Sequence, residues 1–383
     1  MSPGMRLARV ELHELTLPLL EPFIISGGAV TERRSLIVVL QDDAGHAGYG
    51  EAPPFELPFY SEETLGSARD LLERVLIPRV VGQEFATPEA LDARLREGVR
   101  GNPFARAGLE TAAWDLEAHV RGTGLAGLLG ERLGVAAAAA VPCGVALGIP
   151  PDRRPESLTR SVAAALELGY RRVKIKVAPD WDAAAVRAAR AGMAGADLPL
   201  TVDANGAYEW PAHGDALRAL DDAGLLYIEQ PLAPEELVGH ARLSEVLRTP
   251  VCLDETLRSA GVARQVVALG GPLVWNIKVH RVGGLTEVCA IYRIAAAAGA
   301  TLWVGTMPET GIGSQAPLAV ASLPLCVYPS DLEPSSRWFG RGADVIKLTM
   351  GKDGRMAVPG QAAGRMLDEA RFRAASQLLG RWP

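Results

Sequence analysis

Apolar positions recur along this chain with two different rhythms. Near the N-terminus they alternate with polar ones in RLARVELHELTLPL and RSLIVVLQDD, and after the turn DDAGHAG they resume in YGEA. This is the period-two pattern of strands in an antiparallel meander. The stretches LLEPFIISGGAVTE and APPFELPFYSEET are rich in Gly, Pro and aromatic residues. They predict loops at about residues 18–31 and 50–60, candidates for a lid over a site. Helical spacing follows in SEETLGSARDLLERVL, TPEALDARLREGV and PFARAGLETAAWDLEAHVRG, the last closing on a glycine. Strands followed by helices make residues 1–130 an α+β unit.

Beyond it the rhythm changes. Eight short apolar runs recur at intervals of about 25 residues: VPCGVALG, RRVKIKV, LPLTVDANG, LLYIEQP, TPVCLDET, LVWNIKV, ATLWVGT and LPLCVYP. Most are separated by Ala- and Leu-rich helical patterns, and Ala136–Ala140 reads as a helix-to-strand junction. Eight alternating β and α units are the arithmetic of a TIM-like (β/α)₈ barrel, placed here at residues 131–330. A doubly wound nucleotide-binding sheet is the rival for such alternation, but neither a G-x-G-x-x-G after the first strand nor a Walker-type loop is present. Residues 331–383 form a C-terminal segment with a hairpin turning at KDG, expected to pack back on the first unit.

A length of 383 residues suits a domain of roughly 200–250 residues plus a smaller one. The net charge of −6 and the lack of basic patches with interleaved aromatics give no reason to expect nucleic acid or an anionic membrane as partner. The start, MSPGMRLARVELHEL, lacks the uncharged apolar core of a signal peptide, and no apolar run is long enough to span a bilayer, so a cytoplasmic protein, expected as a homo-oligomer, is the reading. Four widely separated cysteines without a CxxC pair read as core thiols.

Charge inside the apolar runs alters this picture. Only five of the 39 basic residues are lysines, and Lys174, Lys176 and Lys278 lie in strand-like runs. Lysine loses its proton when its pKa is lowered, whereas arginine effectively does not. In a barrel strand, residues two apart share a face, and those near the C-terminal end point into the mouth. That rule brings Lys174 and Lys176, Asp203 and Asn205, Glu229, Asp254, and Asn276 and Lys278 to one mouth from five consecutive strands. Three oxygen-donor carboxylates without nearby His or Cys match a hard divalent cation, Mg²⁺ with Mn²⁺ as the alternative. Asn205 and Asn276 are expected to support them. Such a site suits removal of a proton beside a carboxylate, with Lys176 as base and Lys174 as the neighbouring charge that lowers its pKa. Weaker candidates for contacts to a small-molecule carboxylate substrate are Phe23, Ser26 and Tyr60 in the lid loops. Glu309 and Thr310 lie in PETGIG, which either presents N–H groups to an anion or is a plain loop. His280, in phase with Lys278, is placed at the rim, as a substrate contact or a residue with no role.

KIK, VDAN, IEQP, LDET and NIK, in that order and spacing, resemble the muconate-lactonizing subgroup of the enolase superfamily over nearly the whole chain. PFIISGG, PFYSEET, GNPFARAGLETAAWDLEA and SDLEPSSRWF look most like its N-succinylamino acid racemases and o-succinylbenzoate synthases. The resemblance implies a modified (β/α)₇β barrel with an N-terminal α+β capping domain. It also implies Mg²⁺ ligands at Asp203, Glu229 and Asp254 and an acid/base pair at Lys176 and Lys278. The implied activity is metal-dependent racemisation of an N-acyl amino acid or similar acid. Syn-dehydration to o-succinylbenzoate and lactone-forming cycloisomerisation are the alternatives, and a catalytically silent carboxylate-binding barrel is the reading from another class. The chain departs from the family where Val279, His280 and Arg281 replace a usual Pro-Gly-Arg, and in GTMPETGIGSQ, where the racemases tend to have Gly-Gly-Met-Leu-Glu and a later Arg.

Overall fold

The computed structural model describes residues 4–25, 28–340 and 343–383. The alternating N-terminal runs form strands Met5–Ile25, Gly28–Asp42 and Ala47–Ala52 in an antiparallel sheet. The first two pair through Pro18↔Glu32 and again from Phe23↔Val30, so much of the segment expected as a loop at 18–31 continues the ribbon. The C-terminal strand Ser376–Trp382 pairs antiparallel with Met5–Ile25 along the other edge.

Helix Pro103–Val120 is buried on nearly every side, because it lies between this sheet and the barrel. The sheet approaches it closely at Gly50, where a Cβ would lie 2.1 Å from the Gly108 carbonyl oxygen. On the barrel side Glu110 accepts hydrogen bonds from Leu285 N (2.8 Å) and Thr286 N (2.6 Å), the open amides at the start of helix Leu285–Ala298. A carboxylate of the capping domain thus caps a barrel helix and ties the two units together at this point.

Seven parallel strands run in chain order: Gly144–Leu147, Arg172–Lys176, Leu200–Asp203, Ile228–Glu229, Val251–Leu253, Val274–Ile277 and Thr301–Val304. The eighth run closes the ring through parallel bridges Leu302↔Cys326 and Cys143↔Ser330, with Gly144 N donating to Ser330 O at 2.7 Å and Asp331 N to Val304 O at 2.9 Å. Below the first strand, Arg355–Ala357, after the KDG turn, pairs with Ala140–Pro142.

Alternation along these strands decides what the barrel contains. Val173, Ile175, Val202, Ile228, Leu253 and Ile277 join the main core with the helices. The opposite phase turns inward, and its lower layer is a small apolar cluster of Tyr227, Cys252, Val274 and Trp303. One step further along the same phase the interior becomes ionic. Three of the four cysteines, Cys143, Cys252 and Cys289, are buried, Cys326 is partly buried, and all are free thiols. Among the described residues no helix is long and apolar enough to cross a membrane.

Candidate active site

Parallel register places Lys176 beside Asp203, and Asp203 beside Glu229. Asp203, Glu229 and Asp254 are each at most 1 % exposed, and one oxygen from each lies within 4.8 Å of the others. Among the described residues this is the one cluster of ligand-type side chains close enough to share an ion. Its donors are all hard oxygens. Glu229 Oε2 and Asp254 Oδ2, though buried, make no hydrogen bond of good geometry and meet only the ammonium groups of Lys174 and Lys278, each at 3.0 Å, positive partners where a divalent cation would bind. The residues therefore fit a divalent metal.

Cations surround the cluster on both flanks. Lys176 Nζ lies 2.5 Å from Asp203 Oδ2 and 2.6 Å from Asn205 Oδ1. Lys174 Nζ contacts Asp331 Oδ2 (2.7 Å), Glu229 Oε2 (3.0 Å) and Asp203 Oδ2 (3.4 Å). Across the ring Lys278 Nζ is 3.0 Å from both Asp254 Oδ2 and the Tyr60 hydroxyl, while Arg281 pairs with the other Asp254 oxygen. Asn276 Nδ2 donates to Glu229 Oε1 at 2.9 Å, and Asn205 Nδ2 to Glu255 Oε1 at 2.8 Å. Gly305 makes room for this packing, since a Cβ there would lie 2.6 Å from Asn276 Oδ1 and 2.9 Å from Lys278 Cε.

The crowding perturbs protonation in opposite directions. Burial and the adjacent Asp203 charge push the Glu229 carboxyl up to about 8. Burial also acts on Asp254, but Arg281 and Lys278 outweigh it and hold that carboxyl well below the usual range. Burial would pull Lys174 down, yet Asp331, Glu229 and Asp203 outweigh it and keep its ammonium charged. For Lys278, Asp254 and Tyr60 likewise overcome burial. Carboxylates dominate the surroundings of Lys174, so it stays a positive charge beside Lys176, as the sequence expects of it.

Strain concentrates at the same rim. Asn205 and Gln230, just beyond the third and fourth strands, are non-glycine residues at φ 44° and 39°. Gln230 tolerates this because its side chain is fully engaged. Its Oε1 accepts from Asp254 N (3.0 Å) and Thr256 N (3.1 Å), and its Nε2 donates to Thr256 Oγ1 and Leu232 O. His240 Nε2 faces the same amide at 3.5 Å, and burial pushes this imidazole down to about 4. The unfolded chain then takes up a proton that the folded one refuses. Stability present above about pH 6.5 should decline as pH falls toward 4, by about 3 kcal/mol. Denaturant unfolding at pH 7 and pH 5 measures this slope, and His240→Asn should flatten it.

Above the carboxylates lies a cavity of about 720 Å³ lined by Tyr60, Lys174, Lys176, Asp203, Asn205 and Lys278, with Phe55, Leu147, Ile149, Met307 and Trp338 supplying apolar walls. Glu229, Asp254 and Asn276 lie buried beneath it. Three expected contacts are elsewhere. His280 is fully buried instead of lying at the rim, with Nδ1 2.9 Å from Glu309 Oε1. Glu309 turns its other oxygen to Met307 N at 2.9 Å. Thr310 donates through N and Oγ1 to the capping-domain Glu51 (3.1 and 2.5 Å). These residues brace the segment after the seventh strand against the cap, and none lines the large cavity. Ser26 and the side chain of Phe23 lie outside the described residues. Sequence reasoning missed Asp331, Arg281, Gln230 and Glu255. Asp331 ends the eighth run LPLCVYPSD but is out of phase with the inward Tyr328, so strand alternation does not single it out, whereas Arg281 follows Lys278 by one helical turn.

The chain is thus a capped parallel barrel whose mouth holds a buried carboxylate triad between lysines, a donor set that fits a divalent cation. Residues 9–130 match the mandelate racemase / muconate lactonizing enzyme N-terminal domain, and residues 157–364 the enolase C-terminal domain-like family. The chain belongs to this mandelate racemase and muconate lactonizing enzyme family of the enolase superfamily. It is 42 % identical to an N-succinylamino acid racemase of Thermus thermophilus, over 93 % of each chain. It is 39 % identical to an o-succinylbenzoate synthase of Geobacillus stearothermophilus, over 88 % of this chain and 86 % of that one. A solved member of the enolase superfamily from Listeria innocua superposes with a TM-score of 0.90 at 32 % identity, covering 99 % of this chain and 98 % of the other.

Proposed function

We propose that this enzyme is a divalent-metal-dependent racemase that moves the α-proton of an N-acylated, in particular N-succinylated, amino acid. The observation that carries the reading is the position of Lys176 and Lys278. They extend from the second and sixth strands of an eight-membered ring, four strands apart, and both line the same cavity. Amines on opposite sides of one pocket suit a 1,1-proton transfer, in which one removes a proton from one face and the other returns one to the opposite face.

Asp203, Glu229 and Asp254 would hold Mg²⁺, with Mn²⁺ as a substitute. When bound, such an ion supplies positive charge against the negative charge that develops on the substrate carboxylate. Lys176, held by Asp203 and Asn205, takes the proton of one enantiomer. Lys278, held by Asp254 and Tyr60, takes that of the other. Carboxylate charge committed to a cation no longer pins these ammonium groups, so either lysine is freed to act as base. Lys174 remains a fixed positive charge beside the substrate carboxylate. The apolar walls around Leu147, Ile149 and Met307 exclude water from the faces where protons move.

Syn-dehydration to o-succinylbenzoate is the second reading, favoured by relatives of that name at 39 % and 38 % identity. The same pocket serves it with one lysine as base and the other as a static charge. Parallel assays separate the two: loss of optical rotation from single enantiomers of N-succinyl amino acids, and ultraviolet absorbance of o-succinylbenzoate formed from its hydroxy-cyclohexadiene precursor. The proposal expects racemisation to be the faster reaction. Dehydration alone would replace it with the second reading.

A further inference from the structure

We infer that Asp331 is a positioning residue that gives Lys174 a counter-charge outside the triad, so that Asp203 and Glu229, which Lys174 also contacts, can be given up to a cation. Four carboxylate oxygens lie within 3.4 Å of Lys174 Nζ, three of them on Glu229 and Asp203, and the nearest, at 2.7 Å, on Asp331. Asp331 is outside the convergent triad. Among the described residues it is the one carboxylate in ion-pair distance of Lys174 that does not belong to the triad.

Asp331 is built to stay in place. Its N–H is fixed to Val304 O at 2.9 Å, and its other carboxylate oxygen pairs with Arg172. Arg172 is fully buried, with its guanidinium 4.9 Å over the Trp303 ring, and Gly144 opposite it carries no side chain, where a Cβ would come within 2.3 Å of Arg172 Nη2. The Lys174 ammonium lies 4.8 Å over the same ring. Asp331 therefore bridges two cations on one aromatic floor, on the side of Lys174 away from Asp254.

An ammonium and a dication compete for the same oxygen electron pairs. A cation held by Asp203 and Glu229 withdraws these carboxylates from Lys174 and repels it. Lys174 then keeps a counter-charge only through a carboxylate that is not a ligand. Remove the charge of Asp331, and the carboxylates left within ion-pair distance of Lys174 are those of the ligands Asp203 and Glu229. It becomes an internal competitor for the site.

The inference rests on the reading of Asp203, Glu229 and Asp254 as metal ligands, and Mn²⁺ titration of purified protein by calorimetry tests the two separately. Wild-type protein that binds no Mn²⁺ overturns that reading, and this inference with it. If wild-type protein binds, Asp331→Asn should weaken Mn²⁺ affinity about ten-fold. Adding Lys174→Met to Asp331→Asn should restore it to the wild-type level or better, because the competitor is gone, a recovery that a merely structural role would not produce. Asp331→Asn leaves Arg172 buried without its partner, so Arg172→Met with Asp331→Asn serves as a second background with the same expected loss and the same recovery. Unchanged affinity in the Asp331 variants, or a loss that Lys174→Met does not reverse, overturns the inference.

Discussion

Lys176→Ala is expected to lower racemisation in both directions by about 10³-fold or more while sparing α-deuterium exchange of one enantiomer. The enantiomer that keeps exchanging is the one whose proton faces Lys278. Lys278→Ala should give the mirror pattern. The structural cost of each change is small: Asp203 keeps Lys174 as a partner in the first variant, and Asp254 keeps Arg281 in the second. Exchange in deuterated solvent followed by proton NMR on each pure enantiomer reads the result. A one-base elimination enzyme would behave differently, because both enantiomers would depend on the same lysine.

The second large effect is expected at the carboxylates. Asp203→Asn, Glu229→Gln and Asp254→Asn should each bring turnover to background, a loss on the order of 10³-fold or more, because each removes charge from the site that offsets the developing negative charge. Glu229→Gln is the most informative. Glu229 is buried, its carboxyl is already raised, and Asn276 holds one oxygen in place, so the isosteric amide should leave the thermal transition nearly unchanged. Weaker Mn²⁺ binding together with an unaltered melting temperature identifies a ligand. A fall in melting temperature with metal affinity preserved would make it a structural ion pair.

Much of the site was legible because barrel geometry turns spacing into direction. Lys174, Asp203, Glu229, Asp254 and Asn276 follow the inward phase of their strands, and a two-residue period is enough to send them to one mouth. The barrel and its cap were readable for the same reason, since Val173, Ile175 and Val202 mark the opposite, helix-facing phase. Spacing failed where the chain leaves a strand. His280 stands two residues after Lys278, but the backbone has already entered the short helix Val279–Val282, so the strand period no longer applies and the imidazole turns into the interior. Glu309 and Thr310 lie in an irregular segment whose direction is set by Glu51, a residue 258 positions before Glu309 and in the other domain. No local pattern encodes such a contact. Gly, Pro and aromatic content predicts a loop at 18–31, yet residues 23–25 and 28–30 pair with each other, which satisfies their backbone despite that composition.

The measurement closest to the central claim is α-proton exchange by the wild-type enzyme in deuterated buffer, with single enantiomers of an N-succinyl amino acid, in Mg²⁺ and again after chelation. With metal, the α-proton signal of either enantiomer should disappear and its mirror image should form, and after chelation both processes should stop. Exchange that continues at full rate once metal analysis shows the protein to be metal-free would contradict the account, as would Mg²⁺-replete enzyme that leaves the α-protons of both enantiomers untouched.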